Sequence, residues 1–351
     1  MNFASDNTAG VAPAILEAIV RANRGLAMGY GNDAVTERLQ ARVADMFERD
    51  VALFLVPTGT AANALALAQV VPPWGAVLCH QESHIAVDEC GAPEFFGGGL
   101  KLVGLPGVGG KIAAREFEAV LARGPWGGPH HATASVLSVT QATEAGTVYR
   151  LDEIRQLAEI AHRHGLKVHV DGARFANALV RLQVTPADAT WKCGVDVLSL
   201  GATKGGALAA EAVILFDPAE ARGMPERRKR AGLLVSKHRF LAAQFEAFLD
   251  GGLWLDLARH ANAMADRLAA ALAIAGHRTV WPVEANEVFV ILPRALDARL
   301  RAAGANYHEW TTGSVPADFV VGAEQVLVRL VTSFATSDED VDRFMMLLRN
   351  S

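Results

Sequence analysis

Three short segments of the 351-residue chain combine residue types suited to an anionic cofactor. Thr58-Gly59-Thr60 follows the apolar run Val51–Val56 and precedes a run of small residues. A strand-to-helix turn of this kind aims free backbone N–H groups and the positive end of a helix dipole at one spot, which suits a phosphate. Asp171-Gly172-Ala173-Arg174 closes the apolar run Val168–Val170. In an open α/β sheet the ligand lies in the crevice beyond the strand ends, so this carboxylate and guanidinium both stand at its rim. Lys204 lies in Gly201-Ala202-Thr203-Lys204-Gly205-Gly206, after the apolar run Val195–Leu200. A lysine so close to a buried strand needs its amine paired or neutral. Taken singly, the three also read as a Thr-capped turn, a helix cap with a surface arginine, and a snorkelling lysine. Together they describe a pyridoxal phosphate (PLP) site. It has a phosphate cradle, a lysine to form a Schiff base, and an aspartate to keep the pyridine nitrogen protonated. The ring can then absorb the electrons of a breaking bond at Cα.

Other chemistries find less support. Gly107-Val108-Gly109-Gly110-Lys111 has Leu105 where a Walker loop needs glycine and Ile112 where it needs Ser or Thr. No GxGxxG opens a helix near the N-terminus. His162 and His164 are two residues apart and do not share a helix face, so no metal site is expected. Cys79, Cys90 and Cys193 form no CxxC pair. That argues against a disulfide framework or structural zinc and points to a reduced, cytoplasmic compartment. Residues 1–7 lack the basic and apolar regions of a signal peptide. With 33 Lys+Arg against 38 Asp+Glu, a formal charge of −5 leaves no basic footprint for nucleic acid. A composition 51% apolar and 20% charged is that of a globular protein and excludes disorder for the bulk of the chain. Residues 51–81 carry no charged side chain, but Pro57, Gly59, Pro72, Pro73 and Gly75 break them up. They read as strand, turn and helix, and no membrane span is expected.

The elements that must position these residues follow an alternating β/α pattern from about residue 15 to residue 215. Strands are predicted at Val51–Val56, Val77–Cys79, Leu100–Leu105, Ser135–Thr140, Lys167–Val170 and Val195–Leu200. Helices are predicted after Thr60 through about Val70 and over Leu151–His164, the latter with an apolar face and Gly165 as its cap. Arg222–Arg239 is strongly basic. Residues 240–275 read as one long helix or two, Val288–Leu292 and Val326–Val331 as strands, and Asp338–Leu348 as a closing helix with an acidic first turn. The expected architecture is α/β. Residues 1–245 form a large PLP-binding domain with a mostly parallel sheet and an N-terminal arm over 1–18. Residues 246–351 form a smaller α+β domain.

With those motifs in order, the chain resembles the L-threonine aldolases, fold-type-I PLP enzymes related to the β-eliminating lyases. The resemblance runs through Ser5-Asp6, Tyr30-Gly31, Thr58-Gly59-Thr60, His84 to Glu89 with Gly91, Asp171 to Arg174, Thr203-Lys204-Gly205 and Arg329 to Thr332. It implies PLP as cofactor, Lys204 as the Schiff-base lysine and Asp171 as the pyridinium partner. It also implies phosphate binding by Thr58, Gly59 and Thr60, and His84 stacked on the ring near the substrate hydroxyl. Ser5, Arg174 and Arg329 would hold the substrate carboxylate, arginine suiting this because its planar fork matches two oxygens. The activity implied is cleavage of L-threonine or L-allo-threonine to glycine and acetaldehyde. Phenylserine cleavage and β-elimination are the alternatives, and a silent PLP-binding protein is a third. The resemblance further implies a homo-oligomer, a dimer or dimer of dimers, with shared active sites. Tyr30 would cross the interface, and Lys229 or Lys237 would reach the neighbouring phosphate. Two departures stand out. The basic stretch Arg227–Arg239 replaces a Gly-rich one. Ser138-Val139-Thr140-Gln141-Ala142 stands where relatives carry Glu-Asn-Thr-His-Asn, so Gln141 is expected to replace a histidine near the hydroxyl. Gln141 cannot titrate, which leaves His84 as the expected base.

Overall fold

The structure is a computed structural model describing residues 1–311, 315–316 and 318–349. Among the described residues, ten strands build two sheets. The first holds β1 (Ala52–Val56), β2 (Gly75–His80), β3 (Lys101–Leu105), β4 (Thr133–Thr140), β5 (Lys167–Gly172), β6 (Val197–Gly201) and β7 (Glu211–Leu215). Their spatial order is β1-β7-β6-β5-β4-β2-β3, and all run parallel except β7, which is antiparallel to both its neighbours. The second sheet holds β8 (Glu287–Pro293), β9 (His308–Glu309) and β10 (Gln325–Val331), antiparallel in the order β8-β10-β9.

β2, β6 and β7 are buried along their whole length. A central strand covered on both faces reads as a continuous apolar run, as Val197-Leu198-Ser199-Leu200 does. The helix Gly59–Val70 is buried nearly all round, and its alanines Ala61, Ala62, Ala64, Ala66 and Ala68 let it approach the sheet closely. The helix Leu151–Arg163 is amphipathic and buries Ile154, Leu157, Ala158, Ile160 and Ala161. The stretch 240–275 is two helices, Arg239–Leu249 and Leu253–Ile274, because Gly251 and Gly252 turn the chain through positive φ.

The main core runs from Ala12 to Ala258. A second core packs the small sheet against Leu253–Ile274 and the closing helix Asp338–Arg349, with Leu268, Val290, Leu330 and Phe344 at its centre. Phe3, from the other end of the chain, is fully buried in this second core. Its amide donates to Asn306 and its carbonyl accepts from Val331. A few residues on, the Ala12 amide donates to Gly206, beside the turn that carries Lys204. The first twelve residues are therefore strapped across both cores. No helix is long and apolar enough to cross a membrane among the described residues.

Candidate active site

The C-terminal ends of β1, β4, β5 and β6 converge on a cavity of about 390 Å³ lined by Thr58, Gly59, Thr60, Asn63, His84, Glu89, Thr140, Glu144, Asp171, Arg174, Thr203, Lys204 and Glu211. A second cavity, of about 730 Å³, opens beside it and is lined by Ser5, Val87, Ala145, Trp281, Glu287, Trp310 and Arg329. Asn7, His84, Glu144, Arg174 and Lys204 line both, so the two spaces meet at these side chains.

Each wall has a local cause. The Thr58 hydroxyl caps the helix Gly59–Val70 by accepting from the Ala61 amide at 3.1 Å. That leaves the first amides, Gly59 and Thr60, without intrahelical acceptors. A Cβ on Gly59 would meet nothing within 4 Å, so the helix start faces open space. Asp171 is the penultimate residue of β5 and is buried. Its Oδ1 accepts from the Ala173 amide at 3.0 Å and its Oδ2 from Asn63 Nδ2 at 2.8 Å. Lys204 is held in a tight turn by bonds from Gly205 to Ala202 and from Gly206 to Thr203. Gly206 is required there: its φ is +126°, and a Cβ would press on Ala12 at 3.1 Å. Among the described residues no carboxylate lies within ion-pair distance of the Lys204 amine.

His84 Nδ1 faces Glu89 Oε1 at 2.8 Å, and Asn63 Nδ2 donates to the same oxygen. Asn63 thus ties the partner of His84 to Asp171 through one amide. The Glu89 hydrogen bond raises the His84 pKa above its ordinary value despite burial, which favours a ring that donates from both nitrogens.

Ser5, Arg174 and Arg329 come together as expected, but the Arg174 fork is already engaged. Its Nε and Nη2 bind Asp6 at 2.8 and 3.2 Å, and Nη1 faces Glu287 at 3.2 Å. Only an edge of that guanidinium is left for an incoming anion. Burial would raise Asp6, but the charges of Arg174 and Lys204 outweigh it and hold the carboxyl below its ordinary value. Arg329 is freer. It lies 4.3 Å over the Trp310 ring, its Nη1 is 3.8 Å from Glu287, and its buried Nε has no partner among the described residues.

Gln141 corrects the sequence reading. It is fully buried and locked in two bonds to the Tyr149 backbone, as donor to its carbonyl and acceptor from its amide, both at 2.9 Å. It lines neither cavity, whereas Thr140, Ala142 and Glu144 do. Residues alternate in direction at a strand end, and the residue expected to face the hydroxyl faces the core. Tyr30 and Lys237 line neither cavity and are exposed. Their segments lie side by side, with the Tyr30 amide donating to Ser236 and Lys229 Nζ 5.0 Å from the Tyr30 ring.

Five acidic residues at the site carried no assigned role in the sequence, although Asp6 and Glu89 stand in segments of the resemblance. Asp6 and Glu287 engage Arg174, and Glu89 engages His84. Glu144 and Glu211 line the first cavity, and burial pushes each up to about 7. Glu211 begins β7, whose reversed direction brings its first residue to the edge where the parallel strands end. The only sequence signal for it was an acidic residue opening an apolar run.

The family model of the beta-eliminating lyases matches residues 2–295. The chain belongs to the beta-eliminating lyase family. It is 40% identical to the low specificity L-threonine aldolase of a Pseudomonas species over 87% of this chain and 88% of that one. It is 41% identical to the enzyme of that name from Pseudomonas aeruginosa, with the same coverage. Among solved structures, the threonine aldolase of Leishmania major superposes with a TM-score of 0.92 at 30% identity, over 99% of this chain and 98% of that one. A serine palmitoyltransferase of Sphingomonas wittichii shares the fold, with a TM-score of 0.74 at 14% identity over all of this chain and 86% of that one.

Proposed function

We propose that this member of the family is a PLP-dependent lyase that cleaves L-threonine and L-allo-threonine to glycine and acetaldehyde. The observation that carries the reading is the convergence of Lys204 and Asp171, at the ends of adjacent strands, on one cavity that also receives the open start of the helix Gly59–Val70. These residues fit PLP: an amine free of ion pairs, a buried carboxylate, and unpaired amides at a helix start suit its aldehyde, ring nitrogen and phosphate respectively. When bound, PLP supplies an electrophilic carbon and a ring that withdraws electrons from the substrate's Cα.

The protein's own groups do the rest. Thr58, Gly59 and Thr60 would hold the phosphate, and the Lys204 amine would hold the aldehyde carbon. Asp171, fixed in place by the Ala173 and Asn63 donors, would face the ring nitrogen. His84 would face the cofactor and donate to the substrate β-oxygen, with Glu89 as its positioning residue. Arg329, the Arg174 edge and Ser5 would take the substrate carboxylate and so fix the orientation of the substrate. The aromatic wall of Trp281 and Trp310 in the second cavity favours one extension of the reading, a β-aryl substrate such as phenylserine.

Tyr30, Lys229 and Lys237 belong, on this reading, to the contact with a second copy, in a homo-oligomer of the reduced cytoplasm. Residues 1–245 and 246–351 act as the large and small domains. The test is direct. Protein supplied with PLP should be yellow, borohydride should fix the pyridoxyl group on Lys204 in a peptide map, and L-threonine should yield glycine and acetaldehyde. A label on another lysine, or a 2-oxo acid plus ammonia as product, would overturn the reading.

A further inference from the structure

Breaking the Cα–Cβ bond of a β-hydroxy amino acid requires a group that accepts the hydroxyl proton. His84 is poorly placed for it. Its Nδ1 is committed to Glu89, and that bond favours the ring that already carries both protons. Gln141 faces the core. Glu144 stands where the two cavities meet, beside Lys204 and His84. Its Oε1 accepts from the His84 amide at 2.8 Å and from the Thr140 hydroxyl at 2.7 Å. Its Oε2 is buried and has no partner among the described residues. A buried polar atom without a partner is costly unless something arrives to pair with it. The turn that carries Glu144 is rigid. Thr143 binds Thr147 and the Gly109 carbonyl, and the Gly146 amide donates to Thr143.

Resting on the aldolase reading above, we propose that Glu144 is the catalytic base of the carbon–carbon cleavage, its Oε2 accepting the β-hydroxyl proton while His84 donates to the same oxygen. The O–H electron pair becomes the second bond of the aldehyde carbonyl. The Cα–Cβ pair remains with the glycine fragment; Glu144 releases its proton to water, and Cα takes one up from water. The net change is a proton moved from oxygen to carbon, with no other reactant.

The groups around Glu144 include His84 and Cys79 from the β2 side, Asp171 in β5 with Arg174 beyond it, Lys204 beyond β6, Tyr149, Glu89 and Glu211 in the first cavity, and Glu82, Asp88, Glu287, Glu309 and Arg329 in the second. Burial, with Asp171 adding to it, pushes Glu144 up to about 7 against the pull of its two donors. A base must be deprotonated, so kcat/KM for L-threonine should rise with pH through about 7.

The test compares wild type with Glu144→Gln, which can still accept from His84 and Thr140 but cannot titrate. We expect kcat/KM for cleavage to fall about a hundredfold or more, the usual scale for a lost general base. The acid limb near pH 7 should vanish. Glycine α-proton exchange, which needs no hydroxyl base at Cβ, should change by no more than a few-fold. Glu144→Asp covers the case in which glutamine disturbs the turn, and should keep the acid limb at a lowered rate. An infrared titration of cofactor-free protein gives a readout independent of turnover. A protonated-carboxyl band titrating near pH 7 should be weaker in Glu144→Gln, with Glu211 supplying the remainder. If Glu144→Gln keeps the limb and near-normal cleavage, or if cleavage and exchange fall together, Glu144 is not the base. A wild-type protein that binds PLP but releases no acetaldehyde from L-threonine would instead overturn the aldolase reading, and the proposal with it.

Discussion

Asp6→Asn isolates the contact that fastens the N-terminal arm to the active site. Asp6 is buried, accepts two bonds from Arg174 and is also reached by Asn286 Nδ2 at 3.2 Å. With Glu287 and Arg329 it makes a set of two cations and two anions, so the substitution leaves one buried positive charge uncompensated. Breaking a buried pair costs about 3–5 kcal/mol, and the surviving Arg174–Glu287 contact argues for the lower end, about 3. Unfolding entropy of roughly 2.1 cal/mol/K per residue gives about 0.7 kcal/mol/K for this chain, so the melting temperature should drop by about 4 °C. PLP must be held at one saturating concentration in both proteins, because a bound ligand shifts the transition on its own. The pH dependence adds a second check. The folded-state pKa of Asp6 is depressed, so its contribution is present above the ordinary carboxylate range and lost as pH falls through the folded value. The gap between wild type and Asp6→Asn should therefore close in acid. A variant that melts with wild type at pH 7, or a gap that widens in acid, would show that the network contributes nothing.

Three further outcomes are expected. Asp171→Asn should still bind PLP on Lys204 but turn over about a thousandfold or more slowly, the scale of a lost preorganised charge; stopped assays on cofactor-saturated protein decide it. Gly59→Ala should leave the apo-protein as stable or more so, since alanine favours the helix by about 1 kcal/mol and no protein atom opposes its Cβ. Its PLP affinity should drop by about tenfold or more, read by equilibrium dialysis, because the methyl takes up space at the helix start. Arg329→Lys keeps the charge but loses the unpaired Nε and the planar stack on Trp310, so KM should rise more than kcat falls; an unchanged KM would move the carboxylate to Arg174 alone.

Much of the fold was legible because its signals were local. The charge-free stretch 51–81 became strand, helix and strand at the breaks set by Pro57, Gly59, Pro72 and Pro73. The apolar runs before Asp171 and Lys204 became adjacent parallel strands, which is why two residues 33 apart in sequence share a cavity. The partners of the site were less legible, because they come from distant segments or the reverse side of a turn. Nothing near Arg174 announces that Asp6 and Glu287 occupy it. Nothing in Gln141 distinguishes a cavity residue from one sewn to Tyr149, since a shift of one position at a strand end reverses the direction of the side chain. Glu144 and Glu211 look like surface acids until the cavity forms around them.

The strap made by residues 1–12 sets an order of events during synthesis. Phe3 takes its place only against Asn306 and Val331, and Asp6 meets both Arg174 and Asn286. This segment must therefore wait for partners that follow it far along the sequence. Contacts that span almost the whole chain are entropically late to form. Until then the Arg174 guanidinium lacks its main counterion, and the carboxylate-binding end of the site is incomplete. The nascent large sheet can pack its core first, but the pocket becomes competent only when residues 1–12 close on the segments that carry Asn286, Asn306 and Val331.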